Sequence, residues 1–107
     1  MTVADLQPFV SAAYEDRSLL SSRETRDAIA EAIARLDRGE LRVSEKVDGK
    51  WQTHSWVKEA ILLYMASQPV RLMDSGFLQY HDKIPTKRNM DEAGVRVVPP
   101  GVARYGS

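Results

Sequence analysis

The Asp48-Gly49 pair constrains this chain more than any other feature, because it sits between two alternating runs, residues 41–47 and 50–53. A two-residue hairpin turn needs positive φ at both central positions, which Asp and Gly tolerate and β-branched residues do not. The pair therefore predicts a hairpin over about residues 41–54. Leu41, Val43 and Glu45 point one way, and Arg42, Ser44 and Lys46 the other. The register returns through Lys50, Trp51, Gln52 and Thr53, with Trp51 placed to cover apolar surface. Directly behind it, Ser55 is positioned to cap a helix over residues 56–67 that Pro69 ends. Val57, Ala60, Ile61, Tyr64 and Met65 form one stripe of that helix, while Trp56, Leu62 and Leu63 extend onto other faces. A helix apolar this far round is central or lies in an interface.

Two helices precede the hairpin. Leu6, Phe9, Val10, Ala13 and Tyr14 make a helical stripe over residues 3–16, in which Pro8 fits only within the first turn. Ser21 and Glu24 have capping-box spacing, with Ser22 as a rival cap, and open a helix over residues 22–38. Ala28, Ile29, Ala32, Ile33 and Leu36 line its apolar face, and Glu31 and Arg35 form an i,i+4 pair in the favourable order. Gly39 follows as a natural C′ residue. Beyond residue 70 the periodicity weakens. Residues 71–80 suit a strand or an irregular loop, residues 80–88 extended chain around Pro85, and residues 91–94 a helical turn stopped by Gly94. Val95, Val97 and Val98 predict a terminal strand over residues 95–98, halted by Pro99-Pro100-Gly101. The expectation is one small α+β domain over residues 1–107.

Composition narrows the chemistry. Lys plus Arg and Asp plus Glu are both 15, so the net charge is zero, which argues against a dedicated nucleic-acid binder. The helix, helix, hairpin order resembles a winged-helix outline, but a recognition helix needs exposed cations and residues 56–68 offer only Lys58. There are no cysteines, which removes disulfides and thiolate chemistry and fits a cytoplasmic setting. The opening Met1-Thr2-Val3-Ala4-Asp5 lacks the basic start and apolar core of a signal peptide. The longest apolar run, residues 60–66, falls far short of the ~20 residues that cross a bilayer. No glycine-rich phosphate loop or nucleophile elbow is present. His54 and His81 are separated and lack the spacing of a helical metal site, so no metal is expected. In extended chain His81 and Asp82 point to opposite sides and make no dyad. That leaves the cations Lys83, Lys87, Arg88, Arg96 and Arg104, set in low-periodicity, proline-containing chain where ligand contacts concentrate. Arg96 is either an exposed strand arginine or a clamp for a carboxylate, which a guanidinium grips with two parallel hydrogen bonds.

Four ordered blocks carry a family resemblance: Leu36-Asp37-x-Gly39-x-Leu41-Arg42-Val43-x-Glu45-Lys46; Gly49-x-Trp51-x-Thr53-His54-x-Trp56-x-Lys58-x-Ala60-x-Leu62-Leu63; Tyr80-x-Asp82-Lys83-x-Pro85-x-Lys87; and Gly94-Val95-Arg96-Val97-Val98-Pro99-Pro100. Together they resemble the N-terminal part of the tetrahydrodipicolinate N-succinyltransferases, over the chain from about Leu36 onward. The opening helices match in layout more than in letters. The resemblance implies a small helical domain with a hairpin and short strands, lacking the left-handed parallel β-helix that follows it in the family. It implies an enzyme that moves the succinyl group of its co-substrate succinyl-CoA onto an acceptor derived from a cyclic dicarboxylate, in lysine and diaminopimelate synthesis, as a homotrimer. The CoA-binding and acid/base residues of the family lie in the β-helix. This chain would then hold no catalytic residue and no cofactor, and would be inactive alone until a β-helix from the same or a partner chain joins it. Arg96, before Val97-Val98-Pro99-Pro100, is by resemblance the residue that binds a carboxylate of the acceptor. The rival expectation is a non-enzymatic module that reuses this domain to bind a protein or a small anion.

Overall fold

A computed structural model describes all residues 1–107. Thr2 caps the first helix, α1 (Val3–Glu15), with a reciprocal box: Asp5 N–H donates to Thr2 Oγ1 at 3.3 Å and Thr2 N–H to Asp5 Oδ2 at 2.8 Å. Starting there, the helix takes Pro8 into its interior rather than its first turn. An interior proline costs about 3 kcal/mol, and it is tolerated here because Leu6, Val10 and Ala13 on the same helix are fully buried. A 3-10 turn (Arg17–Ser21), capped by Asp16, leads to α2 (Arg23–Asp37). Ser22, not Ser21, is the cap of α2, because Ser21 Oγ is engaged with the Ser18 carbonyl at 2.9 Å. The helix ends in a Schellman turn: Gly39 has φ +76°, its N–H reaches Leu36 O at 3.1 Å, and Glu40 N–H reaches Arg35 O at 2.9 Å. Glu31 and Arg35 pair at 2.9 Å.

β1 (Ser44–Val47) and β2 (Lys50–Thr53) form the expected hairpin, with Val47 opposite Lys50 and positive φ at both Asp48 and Gly49. Leu41 and Val43 at its base pack on the core. The strands themselves are exposed, and Trp51 is 74% exposed, so it covers no apolar surface. It faces Lys46 across the ladder. α3 (Ser55–Ser67) follows. His54 rather than Ser55 occupies the cap position, without a side-chain capping bond, because its ring is drawn to Glu45 Oε1 at 2.8 Å.

α3 packs against both α1 and α2, so its broad apolar character reflects a central position. Trp56, Val57, Ala60 and Leu63 enter one core with the buried faces of α1 and α2. Residues 71–82 settle as a second antiparallel hairpin, β3 (Arg71–Asp74) and β4 (Gln79–Asp82), with Arg71 opposite Asp82 and Met73 opposite Tyr80. Residues 95–98 do not form the predicted strand. Val95 N–H instead closes a turn on Met90 O at 2.8 Å, and the valines alternate with no surface to cover. Residues 85–87 pair instead with the last segment: Thr86 pairs with Arg104, Lys87 N–H donates to Ala103 O at 2.8 Å, and Tyr105 N–H to Pro85 O at 2.9 Å. The result is an α+β fold in which two hairpins project from a three-helix core. No helix is long and apolar enough to cross a membrane.

Candidate functional site

Pairing of residues 85–87 with 103–105 makes residues 88–102 a loop with a closed neck, and Arg96 lies within it. The neck is fastened to the core by Lys87. Its ammonium donates to Asp37 Oδ1 at 2.9 Å, to the Asp37 carbonyl at 2.7 Å and to the Ser107 carbonyl at 2.8 Å, which uses all three of its protons. The Lys87 side chain is only 8% exposed. Asp37 ends α2, where the helix dipole disfavours an anion. Burial pushes its carboxyl upward as well. The Gly106 N–H at 2.9 Å, the Lys87 ammonium and nearby Arg38 outweigh both and hold it below the ordinary carboxylate range. Tyr105 then packs on the core with its ring 6.4 Å from that of Tyr64, and burial, with Tyr64 and Asp37 nearby, raises its phenol above its ordinary value.

The five cations singled out in the sequence therefore separate. Lys83 donates to the Met65 carbonyl at 3.2 Å and closes the end of α3. Lys87 is the neck anchor. Arg104 pairs with Asp82 at 2.9 Å. The Lys83 backbone N–H lowers the Asp82 carboxyl first, with Arg104 adding to it against burial. Arg88 and Arg96 remain exposed and carry no side-chain hydrogen bond or ion pair to the protein. Arg96 is surrounded along the chain by Val95, Val97, Val98 and Val102, all of them exposed. The loop thus presents two free guanidiniums, of which Arg96 stands amid apolar side chains, on a base that the core fixes. His54 is taken up by Glu45, whereas His81 pairs with Leu72 in the β3–β4 ladder and lies on the opposite face of β4 from Asp82. Sequence reasoning missed Asp37 as an anchor. Its one local signal is a carboxylate at the wrong end of a helix, which calls for a nearby cation.

Residues 5–66 match the family described as tetrahydrodipicolinate N-succinyltransferase N-terminal, so the match reaches into the opening helices. The chain is 44% identical over 113 residues to the 2,3,4,5-tetrahydropyridine-2,6-dicarboxylate N-succinyltransferase of Aromatoleum aromaticum, covering 96% of this chain and 41% of that protein. The enzymes of the same name from Azoarcus sp. and Burkholderia mallei are each 42% identical, over 96% and 95% of the chain. The chain spans about two fifths of the length of these relatives. With the family match covering more than half of its residues, this chain belongs to the tetrahydrodipicolinate N-succinyltransferase N-terminal family.

Proposed function

We propose that this domain is the acceptor-holding part of a succinyl-CoA-dependent N-succinyltransferase acting on tetrahydrodipicolinate in lysine and diaminopimelate synthesis, within a cytoplasmic homotrimer. The observation that carries the reading is Arg96: a guanidinium without an internal partner, on a loop whose neck is fastened to the core, in a chain of this family. Its role is to bind and orient a carboxylate through two parallel hydrogen bonds. It moves no proton, because a guanidinium stays charged in proteins.

An exposed ion pair is worth only ~0–1 kcal/mol. Arg96 gains affinity for a carboxylate when a second surface covers the loop and excludes water. The exposed valines beside it suit such a cover. This favours a site completed by the β-helix, which would also bring the succinyl-CoA thioester to the acceptor amine. The domain alone would then be inactive.

The test is a chimera in which this domain replaces the matching segment of the Aromatoleum aromaticum enzyme. The chimera should turn over. Arg96→Ala should weaken acceptor binding by about 2–3 kcal/mol, roughly 30- to 160-fold in acceptor KM, with the KM for succinyl-CoA unchanged. An unaltered acceptor KM and kcat would sink the assignment of Arg96.

A further inference from the structure

A second group of cations, which does not include Arg96, lines a cleft between the β3–β4 hairpin and the segment that follows it. A cleft of about 240 Å³ there is lined by Arg71, Met73 and Tyr80 from one face of the hairpin and by Thr86 and Arg88 from the segment opposite. The volume is below the ~300–1,000 Å³ of sites for drug-sized ligands and suits a compact group.

The polar groups of this cleft are left over once the fold has taken what it needs. Arg71 stands opposite Asp82 in the ladder, but Asp82 is committed to Arg104 at 2.9 Å. Lys87 turns inward to Asp37, which leaves its neighbour Arg88 facing outward. Asp74 also borders the cleft, but Gly76 N–H at 2.8 Å and Gln79 Nε2 at 3.3 Å already occupy its two oxygens. The hydroxyls of Tyr80 and Thr86 have no internal hydrogen-bond partner. Two unpaired guanidiniums and the free hydroxyls of Ser75, Tyr80 and Thr86 thus line one small cleft, and its single carboxylate, bonded only to neutral donors, leaves the lining with a net positive charge.

We propose that this cleft binds a compact oxyanion, the terminal phosphate or carboxylate group of a small ligand, between Arg71 and Arg88 with Tyr80 and Thr86 donating. The chemistry is shared by a phosphoryl group and a carboxylate, and both guanidiniums can present a planar pair of donors to either. The site is independent of Arg96.

The 107-residue chain is titrated with sodium phosphate and, separately, with sodium succinate at low ionic strength, and backbone and arginine side-chain NMR signals are followed. Saturable shifts should concentrate at residues 71–74, 80 and 86–88. Arg71→Gln and Arg88→Gln should each weaken binding about tenfold or more, whereas Arg96→Ala should leave it unchanged. Tighter binding of phosphate identifies a phosphoryl ligand, and tighter binding of succinate a carboxylate. Shifts that do not saturate, that spread over all exposed cations, or that survive both arginine substitutions would overturn the proposal. Because Arg96 belongs to the acceptor-binding reading and not to this one, the two can fail separately.

Discussion

Lys87 and Arg88 are adjacent in sequence and opposite in environment. One ammonium is 8% exposed and satisfied by three oxygens, while the next side chain carries no internal bond. Lys87→Met would leave the half-buried Asp37 carboxylate without its cation. It should cost about 2–3 kcal/mol in urea unfolding, against less than ~0.5 kcal/mol for Arg88→Gln. The same pair sets an acid limit. The Asp37 carboxyl titrates below its ordinary 3.8 in the folded protein. Its contribution is therefore fully present above that value and is lost as pH falls through the folded-state value. Asp37→Asn should flatten the fall of the urea midpoint with pH over roughly pH 2–5. In the sequence, Lys83, Lys87, Arg88, Arg96 and Arg104 look alike, and no local pattern separates the anchors from the free cations. Lys87 meets an acid fifty positions away, a relation that periodicity cannot carry.

Among the elements, the helices formed from short-range rules, and the departures have local competitors. Ser22 displaced Ser21 because the preceding 3-10 turn uses the Ser21 hydroxyl. His54 took the cap position of α3 because Glu45 on the hairpin holds its ring. Pro8 sits mid-helix because the Thr2–Asp5 box fixes the start of α1 ahead of it. Pro8→Ala should restore a helical N–H donor and raise stability by about 1–2 kcal/mol, part of the ~3 kcal/mol interior penalty being offset by proline's restriction of the unfolded chain. A thermal midpoint unchanged or lowered in that variant would show that α1 bears no such cost. The terminal valines illustrate the reverse case. Their alternation is that of a strand, yet no strand pairs with them, and they remain an exposed loop.

At the scale of the molecule, the chain is a flat body of 41 × 39 × 20 Å with a radius of gyration of 15.2 Å. A compact chain of this length would be near ~13 Å. The excess fits the two hairpins, which carry exposed Trp51 within β2 and, in the turn between β3 and β4, Phe77, the latter 97% exposed. Only Trp56 of the two tryptophans joins the core. Trp51→Ala should therefore change stability by less than ~0.5 kcal/mol, whereas Trp56→Ala should cost about 3–5 kcal/mol, as read by denaturant unfolding. Equal costs would place the first hairpin on the core. Interactions within a few residues suffice for the Asp48-Gly49 turn, the apolar faces of α1, α2 and α3 and the Gly39 stop, so the sequence by itself determined them. It also determined the family, through blocks that combine scaffold residues with Arg96. Tertiary structure alone decided which tryptophan is buried, which cations fasten the neck of the 88–102 loop and which stay free. Those outcomes depend on the mutual placement of α2, the second hairpin and the last segment, and on which cations reach the carboxylates of Asp37 and Asp82.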